Sequence, residues 1–118
     1  MEIDEFFAGR QESKEIFDAL CKAILSLGSV KSRISKSQIA FQRRTTFAWA
    51  WTPDRYLRGK QAPLVLTIGL RHRDPSPRWK EVVEPVPGRF THHLELYSVA
   101  DIDNQIRAWL KEAWTEAA

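Results

Sequence analysis

Two stretches with helical periodicity bracket a middle in which apolar and polar positions alternate with a period of two. From Gln11 to Leu27 the apolar residues Ile16, Phe17, Leu20, Ile24 and Leu27 recur at helical spacing with charges between them, the pattern of an amphipathic helix that Gly28 stops. A second helix is predicted from Asp101 to Thr115, where Ile102, Ile106, Trp109, Leu110 and Ala113 recur at steps of three and four behind a cap at Ser98. Between them Val30–Ile34, Ser37–Phe41, Thr45–Thr52, Leu64–Leu70 and Phe90–Tyr97 read as strands. The short turns at Ser35-Lys36 and over Gln42 to Arg44 favour consecutive antiparallel pairing. Pro53 ends the third strand and opens a helical turn reaching Gly59, and Arg78 to Val83 is a helical turn or a short edge element between proline-rich segments.

The expected fold is therefore α+β: a two-layer sandwich of an antiparallel sheet of about five strands, with the N- and C-terminal helices packed on one face. Strand parity assigns the faces. In Thr45–Thr52 the large residues Phe47, Trp49 and Trp51 share one side, expected to meet the helices together with Ile39, Phe41, Leu64, Leu66, Ile68, Leu94 and Leu96. The opposite side then carries Ala48, Ala50, Val65, Thr67, Gly69, Thr91, His93, Glu95 and Tyr97, either open to water or covered by the proline-rich connections.

A length of 118 residues suits a single domain spanning 1–118. No apolar run reaches the ~18 residues of a membrane span, and the acidic start Met-Glu-Ile-Asp-Glu lacks the basic character of an export signal, so the cytoplasm is the expected location. Cys21 is the single cysteine, which excludes an internal disulfide and a thiolate metal cluster, and its place on an apolar helical stripe reads as core.

Charge is segregated along the chain. Residues 31–80 hold twelve Lys/Arg against Asp54 and Asp74, a net +10, while residues 1–30 carry three bases and six acids and residues 81–118 three and seven. A field of one sign concentrated on part of a small fold points to an anionic partner, nucleic acid or an acidic protein surface. Lys36, Arg43 and Arg44 fall at hairpin turns, and Arg71, Arg73 and Lys80 flank the proline-rich loop, so these six are the candidate phosphate-contacting residues; Lys31 and Arg33 lie on the outward parity of the first strand. The ordinary alternative is a solvated surface whose cations discourage strand-to-strand aggregation. Phe41, Phe47, Trp49 and Trp51 beside Arg43 and Arg44 have the composition of a base-stacking platform. Core is the favoured reading for them, because the small-residue side of the same strand supplies too little volume.

His92 and His93 are adjacent and point to opposite faces of a strand, so they do not share a metal ion. His93, Glu95 and Tyr97 share the outer face and form a possible pocket for a small molecule or for acid–base chemistry. His72, between Arg71 and Arg73, adds to the basic cluster. No phosphate-binding glycine loop, nucleophile elbow, His-Glu-x-x-His or acidic magnesium cluster is present, so no catalytic residue, metal or cofactor is assigned, and an independent enzyme is the less expected class. The leading expectation is a non-enzymatic binding module. The alternative is a protein-interaction or homo-oligomerisation module using the small-residue sheet face or an edge strand.

The order of features also carries a family likeness: Phe6-Phe-Ala-Gly9, Lys36-Ser-Gln-Ile-Ala-Phe41 with Arg43-Arg44, Phe47-Ala-Trp-Ala-Trp51, Pro77-Arg-Trp-Lys-Glu-Val-Val83, Gly88-Arg-Phe-Thr-His-His93 and Trp109-Leu-Lys-Glu-Ala113. In this order the chain resembles, over nearly its whole length, the uncharacterised bacterial family called domain of unknown function 5655. The resemblance implies a compact α+β module found alone or joined to other domains, some of them nuclease-like, and it brings no catalytic residues.

Overall fold

The helical periodicities at both ends become three helices in a computed structural model that describes residues 2–55 and 59–118. α1 (Ile3–Phe6) is a short lead that buries Phe6. α2 (Gln11–Leu25) turns Ile16, Phe17, Leu20, Ala23 and Ile24 inward, as the spacing predicts. α3 (Asn104–Glu116) buries Ile106, Trp109, Leu110 and Ala113. It starts three residues later than expected. Ser98 and Asp101 close a capping box around a separate 3-10 turn, Val99–Asp101, and Asp103 caps α3 itself by accepting the Ile106 amide at 3.1 Å.

The strands are β1 (Lys31–Ile34), β2 (Ile39–Gln42), β3 (Thr46–Trp51), β4 (Leu64–Leu70), β5 (Glu81–Val86) and β6 (Arg89–Leu96), forming one antiparallel sheet in the order β1-β2-β3-β4-β6-β5. The sheet thus has six strands rather than five. The extra strand resolves the ambiguous 78–83 segment: β5 is an edge strand, mostly exposed, with Pro85 and a register shift between Val83 and Val86 that blunt it against further pairing. The helical turn expected over 53–59 is a 3-10 turn at Pro53–Arg55, and its residues 56–58 lie outside the described ones.

Helices α1, α2 and α3 and one face of the sheet share a single core cluster. That face carries Ile39 and Phe41, Leu64, Leu66 and Ile68, Leu94 and Leu96, as expected. It also carries Ala48 and Ala50, which corrects the parity assigned to β3. The register pairs Ile39 with Ala50 and Phe41 with Ala48, then Ala48 with Ile68 and Ala50 with Leu66, so the alanines lie beneath the helices and Trp49 and Trp51 face the other way. Phe47 stays in the core because the β2–β3 register shifts there: Phe41 faces Ala48 while Gln42 faces Thr46, leaving Phe47 as the extra residue of a bulge. Volume for the core comes from the leucines and isoleucines of the flanking strands, and small residues in the central strand allow the helices to approach.

The connection from β4 to β5 crosses on the helix side. Asp74 organises it: its carboxylate accepts the Trp79 and Trp109 indole N–H groups, each at 3.0 Å, and the Ser76 amide at 2.9 Å. Trp79 stacks on Trp109 with ring centroids 4.1 Å apart and leans on His92, whose ring accepts the Asp74 amide at 3.0 Å. Arg78 anchors the same loop to the start of α3 through Asp103 and the Asp101 carbonyl. Because this loop is held on the helix side, the outer face of the sheet carries no helix among the described residues. None of the described helices is long and apolar enough to cross a membrane.

Candidate binding face and the fate of the basic cluster

The uncovered face is best followed as a cross-strand row. Arg33 on β1 faces Ala40 on β2, Ala40 faces Trp49 on β3, Trp49 faces Thr67 on β4, Thr67 faces His93 on β6, and His93 faces Glu81 on β5. The row runs from a cation through an aromatic to a carboxylate. One step along the strands, Trp51, Val65 and Glu95 form a parallel row.

Side-chain contacts fix its middle. Trp51 donates its indole N–H to Thr67 Oγ1 at 3.0 Å, and Thr67 Oγ1 lies 2.8 Å from His93 Nδ1. The hydroxyl accepts from the indole and carries one proton of its own; in the tautomer where it gives that proton to Nδ1, the His93 proton sits on Nε2. Burial holds His93 below the ordinary histidine value, with Glu81 pulling the other way, so the imidazole is neutral at pH 7. Trp51, Pro53, Val65, Lys80, Glu81, His93 and Glu95 line a cavity of about 390 Å³. Lys80 Nζ pairs with one Glu95 oxygen at 3.1 Å on its rim. Tyr97 is not part of that lining: β6 ends at Leu96, and the chain turns so that the Tyr97 amide bonds Asp101, leaving the ring exposed.

Toward the opposite end of the sheet a second hollow of about 350 Å³ is lined by Trp49, Gly69, Phe90 and Thr91 with Arg71 and Arg89 at its rim. Gly69 matters here because the Trp49 ring lies over it: a Cβ at that position would touch the indole at 3.6 Å.

The six basic residues singled out in the sequence do not form one surface. Arg43, Arg44 and Arg71 gather at the C-terminal end of α3, where peptide carbonyls make the helix end negative. The Arg43 guanidinium lies 3.6 Å from the Trp114 ring centroid and donates to the Trp114 carbonyl, the Arg44 amide donates to Ala117 O, and Arg71 donates to Glu116 O at 2.8 Å. Arg73 sits 5.7 Å from the Phe90 ring centroid. Lys36 lies in the β1–β2 turn, away from the Arg43-Arg44 turn, and Lys80 is on the outer face, paired with Glu95. His72 faces Glu112 at 2.8 Å, which raises its pKa. The donor atoms of His72, Glu112 and Glu116 all lie within 4.8 Å of one another, but they are solvent-facing and Glu116 already accepts the Arg71 amide, so the set ties the loop to α3 as an ion-pair network.

Four of the twelve central cations thus engage the C-terminal segment through their side chains, Arg43 and Arg71 on main-chain carbonyls, Arg78 on Asp103 and Lys80 on Glu95, whereas Arg44 contributes its backbone amide. Among the described residues, no ion pair or side-chain hydrogen bond engages Lys31, Arg33 or Lys36, all near the β1 edge. The outward parity of Lys31 and Arg33 was legible in the sequence. That Trp49 and Trp51 accompany them was not; the signal that could have revealed it was Ala40, small and outward, beside a strand with two apolar faces.

A family model described as Domain of unknown function (DUF5655) matches residues 3–117. No curated protein and no solved structure matches the chain.

Proposed function

We propose that this chain, which belongs to the DUF5655 family, is a binding module that takes unpaired nucleic-acid bases on the open face of its sheet. The observation that carries the reading is the row Arg33–Ala40–Trp49–Thr67–His93: an outward tryptophan two strands from a cation that, among the described residues, no ion pair or side-chain hydrogen bond engages, on a face that carries no helix among those residues. Flat indole surfaces stack on any base, at about 1–3 kcal/mol per base, and cations alongside hold the phosphates. Charge across the face sets an orientation. Lys31 and Arg33 attract the backbone to the β1 side, Glu81 and Glu95 repel it from the β6–β5 side, and the bases reach across β3 and β4 onto Trp49 and Trp51.

The edges weigh against self-association by strand addition. β1 presents Lys31 and Arg33, and β5 is interrupted by Pro85.

Fluorescence titration with short single-stranded DNA and RNA at two salt concentrations tests the reading. Binding should quench tryptophan emission and weaken with salt, by a slope of about 0.7 in log K per phosphate contact. Absence of binding at low salt, or affinity indifferent to salt, contradicts it.

A further inference from the structure

We infer that the hollow between Trp51 and Glu95 is a base-reading pocket that selects guanine; the inference rests on the nucleic-acid reading above and narrows it. Val65 is the floor, only 4% exposed, with Trp51 and Glu95 on the strands to either side. Those flanking strands are about 10 Å apart, two inter-strand spacings, enough for a flat heterocycle seated over Val65 against the indole. What distinguishes this hollow from a plain apolar dent is the set of polar groups converging on it, and their donor and acceptor pattern is unbalanced in a specific way.

The acceptors are the carboxylates of Glu95 and of Glu81, which faces His93 across the strands. Lys80 takes one Glu95 oxygen at 3.1 Å, fixing that carboxylate, and the Glu95 side chain retains only 23% of its exposure. The donors are Lys80 and, in the tautomer whose Nδ1 accepts from Thr67 at 2.8 Å, the Nε2–H of His93. A carboxylate beside an N–H donor is complementary to a base edge carrying two adjacent donors next to an acceptor. Guanine alone presents this, through N1–H, the N2 amino group and O6; adenine and cytosine offer a single amino donor next to an acceptor, and thymine one imide N–H between two acceptors. Glu81 and Glu95 against Lys80 leave the hollow net negative, which repels phosphate, so it admits a base edge and not the backbone. This agrees with the cation-to-carboxylate polarity of the row from Arg33 to Glu81.

The test uses short oligothymidylates carrying one central guanine, adenine, cytosine or thymine, titrated against the full chain and against Glu95→Gln and His93→Ala, with thermal melts to show that each variant folds. The guanine oligomer should bind about tenfold more tightly than the others, as expected for ~1–3 kcal/mol from one bidentate contact. Glu95→Gln should abolish that preference, His93→Ala should reduce it, and the salt slope should be unchanged in both. Equal affinity for all oligomers by the unmodified chain, or a guanine preference that survives Glu95→Gln, overturns the pocket while leaving the stacking face standing. Failure of every oligomer to bind overturns both.

Discussion

Replacing Asp74 by alanine removes one acceptor and strands three donors. The carboxylate receives the Trp79 indole at 3.0 Å, the Trp109 indole at 3.0 Å and the Ser76 amide at 2.9 Å, and through the Trp109 indole it joins the β4–β5 connection to α3. A hydrogen bond to a charged group contributes about 1.5–3 kcal/mol, and a donor left without a partner costs about 1–3 kcal/mol when buried. Three such bonds do not add, because Asp74 is only half-buried and water reaches part of the vacated space. A loss of about 2–3 kcal/mol follows, a large fraction of the ~5–15 kcal/mol by which a domain is stable. For a chain of this length that corresponds to a fall in Tm of about 8–15 °C, read by circular dichroism. Trp79→Phe, which removes one of the three bonds and keeps the stack on Trp109, should cost about a third as much. Burial pushes the Asp74 carboxyl up, but the Ser76 amide, both indoles and nearby His92 outweigh it and hold the group below the ordinary aspartate value. The contribution is thus complete above the unfolded-state pKa of roughly 4 and disappears as pH falls through the lower folded value. The gap between native and Asp74→Ala stability should narrow in the same range. A variant within about 0.5 kcal/mol of the native chain at pH 7, the range of an ordinary surface change, would refute the view that this carboxylate holds the loop to α3.

Three further outcomes follow from the same structure. Phe41→Ala, at a fully buried core position, should cost about 3–5 kcal/mol in urea unfolding, whereas Trp49→Ala on the outer face should cost under about 1.5; the reverse order would restore the large-side-inward parity of β3. Gly28 has φ +143°, and an added Cβ would meet Trp114 at 2.7 Å, so Gly28→Ala should lose about 1–3 kcal/mol and shift the Trp114 emission; an unchanged melt would contradict this packing. His92 is kept neutral by burial below its ordinary value, so its contribution is complete above roughly pH 6.5 and declines as pH falls, by up to about 1.4 kcal/mol per unit. The urea midpoint should therefore drop between pH 7 and 5 and drop less in His92→Asn, His72 with its raised pKa opposing weakly because its pair is exposed.

The helices were legible because Ile16, Phe17, Leu20 and Ile24, and likewise Ile106, Trp109 and Leu110, report a single buried stripe. Strands β4 and β6 were legible for a similar reason, with leucine and isoleucine on one parity only. Strand β3 misled because it is apolar on both parities, and side-chain size alone favoured the tryptophans as core. Its alanines are buried by helices from distant parts of the chain, and the bulge that turns Phe47 inward leaves no mark in the local alternation. Strand β5 was obscured by its polarity: Glu81, Glu84 and Pro85 suit an edge and resemble a loop. The basic cluster was counted correctly as sequence. Its division in space depends on contacts of Arg43 and Arg71 with the last turn of α3, separated by 71 and 45 residues, which no local pattern reveals.

The most direct measurement is a two-dimensional amide and indole NMR titration of the full chain with a short single-stranded oligonucleotide at low salt. Shifts should concentrate on the outer face, at Arg33, Ala40, Thr67, His93 and the indole N–H groups of Trp49 and Trp51, and should recede as salt is raised. Perturbations centred on α2, on α3 or on the Arg43–Arg44 turn, with the outer face silent, would contradict an open sheet that stacks unpaired bases.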